Sequence, residues 1–150
     1  MIVRGSSSVG APRERLWAVL SDPRSLAEAM PGVEGVNVED ERRFGAVAVI
    51  ATALGETRLI MDFEVREQRP GEQVLIAGSG RVGENLVALE VELELIDAGA
   101  GTQASWRAEV LLRGVLASLL QRGLAALLNE QVEAVLAAGA AMSGAAAGRS

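Results

Sequence analysis

The stretch VLASLLQRGLAALLNEQVEAVLAA, from Val115 to Ala138, decides the fold of this chain. It contains no proline, and its apolar residues recur at the spacing of an α-helix. One face of that helix would carry Leu116, Leu120, Leu124, Leu127, Leu128 and Val135. A helix of this length spans about 36 Å and must bury its apolar stripe against a large surface. We therefore expect a long C-terminal helix packed on a sheet.

That sheet is predicted by the alternation of apolar and polar residues between Val33 and Leu112. The clearest strand is VALEVELEL at 87–95, in which apolar residues alternate with Ala and Glu. Turn signals such as Pro70-Gly71 separate the strands. The spacing suits an antiparallel meander with one wet and one dry face. Seven strands are predicted, over residues 1–9, 33–39, 44–54, 59–66, 74–83, 87–95 and 104–112.

Two short helices are predicted between the first and second strands. Pro12 suits the start of a helix over 13–20, because the N–H that proline lacks would have no partner in a first turn. A second helix follows and ends near Met30. Asp22 is a good N-cap residue for it, and Pro23 a good first helical residue.

Composition limits the class of protein. The 150 residues are 49% hydrophobic, enough for one domain with a substantial core. We place that domain at 1–142 and expect a disordered tail at 143–150. The net charge of −6, without a basic stripe, argues against a nucleic-acid partner. No signal peptide and no apolar run of about 18 residues is evident, so we expect a cytoplasmic protein.

Few residues could carry catalytic chemistry. Without His or Cys the chain has no Ser–His or Cys–His pair and no thiolate metal ligand. Glycines at 78, 80 and 83 match G-x-G-x-x-G, but no helix follows them, so we predict no dinucleotide site. The acidic residues that could act in acid–base chemistry fall on the wet face of the sheet: Asp62, Glu64, Glu90, Glu92 and Glu94. We predict no catalytic residue, no metal and no cofactor.

The order of these elements resembles the START-like (SRPBCC, helix-grip, birch-pollen-allergen-like) superfamily. More narrowly, APRERLWAVLSDPRSLAEAMPGVEGV at 11–36 is similar to the start of the family named for the G subunit of carbon monoxide dehydrogenase. Gly-Ser-Gly at 78–80 and Leu-Ala-Ser-Leu at 116–119 resemble its later landmarks. The resemblance covers about residues 1–138. It implies an α+β helix-grip fold, in which a seven-stranded curved antiparallel sheet wraps around the long C-terminal helix.

The resemblance also implies a cavity between sheet and helix that holds an apolar small molecule, such as a lipid, an isoprenoid or a quinone-like compound. The small number of aromatic residues, two Phe, two Trp and no Tyr, agrees with an incompletely filled interior. The alternative is a helix that packs tightly on the sheet and leaves no cavity. The expected ligand contacts are Met30, Met61, Phe63, Ile76, Leu89, Val91, Trp106, Leu116, Leu120, Leu124, Leu127 and Gln131.

Gln131 is the polar member of this set. It projects at nearly the same angle as Leu120 and Leu124, in the middle of the apolar stripe. A buried amide without partners costs about 1–3 kcal/mol, so its presence needs a reason. Either the amide bonds a strand carbonyl or lies beyond the edge of the sheet, or it binds the polar head of an otherwise apolar ligand.

We expect a non-catalytic carrier protein, engaged in hydrophobic ligand binding and lipid transport and accessory to a molybdenum-containing carbon monoxide dehydrogenase-type enzyme. The alternative is an enzyme of the polyketide cyclase or hydratase type that uses the same cavity. Polar residues pointing into the cavity would favour the enzyme, and an apolar lining would favour the carrier. Besides the ligand, the candidate partners are other proteins of the dehydrogenase, a transient contact at the inner face of the membrane, and a second copy of the chain.

Overall fold

In the computed structural model, residues 1–52, 55–115 and 117–148 are described, with side chains except at 50–52, 67, 117, 119, 120, 122 and 142–148. The elements in chain order are β1 (Ile2–Val9), α1 (Arg13–Leu20), α2 (Pro23–Ala29), β2 (Val33–Val38), β3 (Arg43–Thr52), β4 (Gly55–Arg69), β5 (Gln73–Val82), β6 (Asn85–Ala98), β7 (Gly101–Arg113) and α3 (Ala117–Gly148).

The seven strands form one sheet in the order β1-β7-β6-β5-β4-β3-β2, with every neighbouring pair antiparallel. The helix α3 contacts β1 near one edge of this order and β3 near the other. One helix can contact strands near both edges of a seven-stranded sheet only if the sheet curves around it. The predicted fold class, a curved antiparallel sheet around a C-terminal helix, is therefore confirmed.

Alternating burial along the strands gives the sheet a dry inner face and a wet outer face. In β6, Val87, Leu89, Val91, Leu93 and Leu95 are buried. Their neighbours Ala88 and Glu90 are exposed, as the sequence predicts. At about 25 cal/mol per Å² of buried apolar surface, this dry face and the stripe of α3 supply most of the driving force for folding.

The short helices close one side of the sheet. The N-cap of α2 is Asp22, whose Oδ2 accepts hydrogen bonds from the Ser25 backbone N–H at 3.2 Å and the Ser25 hydroxyl at 2.7 Å. These bonds, the hydroxyl first, lower the pKa of Asp22 because they stabilise its charged form. The neighbouring helix α1 packs against α3 at Gly139, where a Cβ would lie 2.8 Å from Leu16 Cδ2.

Several element limits differ from the predicted ones. The strands β4 and β6 are longer than predicted, because the neighbouring strands continue the ladder beyond the alternating segments, as far as Gln73 opposite Arg69 and Gly101 opposite Ala98. The backbone of α3 is helical to Gly148, past the predicted start of a tail at Ser143. Within α3, Gly123–Ala141 is long and apolar enough to cross a membrane by length and composition. Its stripe is already explained by packing, since Leu124, Val135 and Leu136 are buried against the protein.

Candidate ligand-binding cavity

A cavity of about 90 Å³ lies between the sheet and the helices α2 and α3. From the sheet it is lined by Phe44, Ala48, Leu59, Met61, Phe63, Ile76, Leu89, Val91 and Leu93. From the helices and the loop after α2 it is lined by Leu20, Leu26, Met30, Leu124, Leu127, Leu128, Gln131, Val132 and Val135. Apart from Gln131, all of these side chains are apolar, and apolar atoms supply the surface of the cavity.

Most of the predicted ligand contacts come together here. The cavity is lined by Met30, Met61, Phe63, Ile76, Leu89, Val91, Leu124, Leu127 and Gln131. Leu116 and the side chain of Leu120 lie outside the described part of the chain. The structure thus shows where these residues lie, and their role in binding stays a prediction.

Trp106, which was also predicted to contact the ligand, is not among the residues that line this cavity. It lies on β7 opposite Gly5 of the edge strand β1. A Cβ built on Gly5 would lie 2.3 Å from Trp106 Cζ2, so the indole ring covers the glycine. Trp106 is 3% exposed and belongs to the packed core. The alternation of β7 correctly gave the face of Trp106, but periodicity does not say which neighbour fills the space beside it.

The room for the cavity comes from small residues on β3 and β5. Gly78 lies opposite Phe63 across the β4–β5 ladder. A Cβ there would lie 3.0 Å from Met61 Cε and from the Phe63 ring. Phe63 in turn stacks on Phe44, with ring centroids 5.0 Å apart. Met61 and Phe63 therefore lie over Gly78, and the remaining space is bounded by Ala48 of β3 and by α3.

The half-buried lining residues mark where the cavity comes closest to solvent. These are Met30, Ala48, Phe63, Leu127 and Gln131, whereas the other lining residues are buried. Ala48 pairs with Val33, which follows the loop that begins at Met30. We call the gap between this loop and α3, bounded by Met30, Ala48, Leu127 and Gln131, the mouth.

Gln131 ties α3 to the loop at the mouth. Its Nε2 donates a hydrogen bond to the Pro31 carbonyl oxygen at 2.6 Å. Because a carbonyl only accepts, this bond fixes which amide atom faces the loop. The other amide atom, Oε1, is buried and has no hydrogen-bond partner in the described structure. The sequence analysis offered a strand carbonyl as one partner of this amide, whereas the observed partner is a carbonyl in the loop before β2, and Oε1 is left unexplained.

The charged residues lie on the outer face, away from the cavity. Glu64 accepts from Arg66 and, at 3.0 Å, from Arg43. Hydrogen bonds from Arg66 and then Arg43 lower the pKa of Glu64, because both stabilise the carboxylate. Such exposed pairs contribute little to stability. Among the described residues, no group of three or more His, Cys, Asp or Glu could hold a metal ion.

The sequence analysis missed part of the lining. The inward phase of the strands already contained Phe44, Leu59 and Leu93. The apolar stripe of α3 contained Leu128 and Val135. Leu20 and Leu26 lie on two different short helices, and only their tertiary arrangement brings them to one cavity. Helical periodicity could predict that Leu20 and Leu26 face the core. Nothing in the sequence indicates that they line the same cavity.

A sheet curved around a long helix, with an apolar cavity between them, defines a protein of the START-like, helix-grip class. The family model for CoxG, described as the G subunit of carbon monoxide dehydrogenase, matches residues 5–138. The chain therefore belongs to the CoxG family, as its sequence resemblance indicated.

Solved structures show the same fold at low sequence identity. A conserved protein from Geobacillus kaustophilus superposes with a TM-score of 0.79 at 19% identity, covering 96% of this chain and 95% of its own. A START superfamily protein from Mycobacterium smegmatis gives a TM-score of 0.68 at 14% identity, covering 95% and 97%. A Thermus thermophilus protein gives 0.62 at 18% identity, covering 97% and 99%. No curated protein matches the chain.

Proposed function

We propose that this protein is a non-catalytic carrier that binds an apolar small molecule, of isoprenoid or quinone-like type, in the cavity under α3. The observation that carries the proposal is the lining, in which Gln131 is the polar exception. An apolar ligand is held there by the surface it removes from water, at about 25 cal/mol per Å². The half-buried mouth gives such a ligand a route that crosses no charged residue of the lining.

The cavity must expand to take a ligand of this class. At about 90 Å³ it is smaller than the roughly 300–1,000 Å³ of ordinary small-molecule pockets. Met30 and Met61 supply the flexibility, because unbranched thioether side chains adopt many rotamers at low cost. A carrier benefits from this arrangement, since an empty cavity that closes exposes little apolar surface to water.

A carrier is better supported than a cyclase or hydratase. General acid–base catalysis needs a titratable group within hydrogen-bond reach of the reacting atom. The side chains that line the cavity include no titratable group, and the acidic residues of β4 and β6 lie on the outer face. Family membership supports the finer proposal that the protein delivers its ligand to, or assembles with, the other proteins of a carbon monoxide dehydrogenase-type enzyme.

Native mass spectrometry of protein isolated gently from its own host tests the proposal, because a retained ligand identifies itself by mass. We expect an apolar adduct that is released on denaturation. Ala48→Leu should fill the cavity and abolish the adduct. The matched control Ala88→Leu, on the exposed outer face, should keep it. An adduct that survives Ala48→Leu, or the absence of any adduct or added isoprenoid binding, would contradict the proposed function.

A further inference from the structure

The unpartnered atom at the mouth carries information about the ligand. Gln131 Oε1 is buried without a partner, and its amide cannot rotate to satisfy it. Rotation by 180° would place Oε1 against the Pro31 carbonyl, which is 2.6 Å from Nε2 in the observed orientation, and two acceptors would then face each other. As long as Gln131 keeps its hydrogen bond to the Pro31 carbonyl, the amide atom left without a partner is the acceptor Oε1.

Water is a poor partner for this acceptor. A buried water molecule typically needs two to four polar partners. The other side chains that line the cavity are all apolar, so the lining offers such a water no second polar side chain besides Gln131. A hydroxyl or N–H group on an apolar ligand needs a single acceptor, because the rest of the molecule is satisfied by apolar contacts. The site thus suits a donor carried by an apolar skeleton.

We propose that the cavity selects ligands whose polar end is a hydrogen-bond donor, a hydroxyl on a prenyl-like or aromatic skeleton, and that Gln131 Oε1 accepts this bond. The inference rests on the proposed function and names the ligand class within it. Ketones, esters and ethers are disfavoured, because their oxygens only accept. Among quinone-like molecules, the reduced dihydroxy form carries such a donor and the oxidised form does not.

The geometry of the mouth explains how the acceptor becomes available. Oε1 is buried, and the surface of the cavity is apolar, so a ligand reaches this atom only after side chains at the mouth move. Leu127 lies one helical turn before Gln131, and Met30 directly precedes Pro31. Both are half-buried and can change rotamer when the cavity expands. The ligand that opens the mouth is then placed with its polar end at Gln131 and its apolar body against α3 and β4.

A matched pair of probes tests this directly. Geraniol carries a hydroxyl donor, and geranyl methyl ether has nearly the same skeleton with an acceptor only. By isothermal titration calorimetry we expect the wild-type protein to bind geraniol about tenfold more tightly, the ratio that corresponds to one net hydrogen bond. In Gln131→Leu this ratio should fall to about one, through weaker geraniol binding. Gln131→Met, which keeps an unbranched side chain, serves as a second variant if Leu disturbs the fold.

The control is Gln121→Leu, the same substitution at an exposed position of the same helix, which should keep the tenfold ratio. Equal binding of both probes by the wild type would overturn the donor inference and leave the apolar carrier standing. A ratio that persists in Gln131→Leu would overturn the role of Gln131. Binding of neither probe would overturn the donor inference together with the proposed cavity function.

Discussion

The inner face of the sheet has two halves that use small residues differently. On the half formed by β1 and β7, which we call the packed half, Gly5 is covered by the ring of Trp106, a core residue that does not line the cavity. On the half formed by β3 to β5, Gly78 lies beneath Met61 and Phe63, and about 90 Å³ stays open. Both glycines are thus covered by a ring on the next strand, and the two halves differ in the open volume that lies beside Met61 and Phe63.

The same contrast separates the two side-chain polar atoms that are buried without a partner among the described residues, Trp106 Nε1 and Gln131 Oε1. The indole nitrogen is buried in the packed half, and Trp106 is not among the residues that line the cavity. The amide oxygen belongs to Gln131, which lies at the mouth of the cavity on the half formed by β3 to β5, which we call the open half. An unpartnered atom thus indicates ligand binding only when an expandable space lies beside it.

The largest effect is expected from Trp106→Ala, which would hollow out the packed half. Removing a buried tryptophan side chain should lower the free energy of unfolding by about 3–5 kcal/mol. Trp106→Phe is the control, because it keeps one aromatic ring in the core, and the N–H that it removes along with the second ring has no partner. It should cost clearly less than Trp106→Ala. Urea denaturation followed by circular dichroism measures both. A loss below about 1 kcal/mol for Trp106→Ala would show that this half is not tightly packed.

A second prediction compares one substitution on the two halves. Gly5→Ala places a Cβ 2.3 Å from Trp106 Cζ2, so the ring must shift, and the expected loss of stability is about 1–3 kcal/mol. Gly78→Ala meets Met61 Cε and Phe63 at 3.0 Å, and the adjacent cavity gives both room to move. The lower backbone entropy of alanine in the unfolded chain then offsets the crowding, and the net change should stay within about 1 kcal/mol.

Both glycines have negative φ, so backbone strain does not confuse the comparison. Thermal or urea unfolding of the two variants, side by side, provides the measurement. Equal destabilisation would mean that the space beside Gly78 is not available to its neighbours. It would remove the packing argument for an expandable cavity.

The sequence predicted the local elements well, because each depends on near neighbours. The start and end of α1 and the cap at Asp22 follow from proline and side-chain chemistry, and the alternation of β6 follows from two-residue periodicity. Trp106 and Gln131 show where such reasoning stops. Periodicity placed both side chains inward, yet only the positions of Gly5 and Pro31, more than 90 residues away, decide what each one contacts.

The smallest effect concerns the helix that closes the open half. The helix α2 carries Leu26 over the cavity, and its N-cap is the Asp22 carboxylate. The pKa of Asp22 is lowered in the folded protein, chiefly by the Ser25 hydroxyl. Its contribution to stability is therefore fully present above the unfolded pKa of about 3.9 and is lost as the pH falls through the folded value.

Asp22→Asn keeps a good cap without the charge, so we expect a loss of about 0.3–1 kcal/mol at pH 7 that vanishes near pH 2. Amide hydrogen exchange at pH 7 should localise the effect to α2 and leave β7 unchanged. Faster exchange throughout β7 in Asp22→Asn would show that the two halves open together, and the separation between the packed half and the open half would fail.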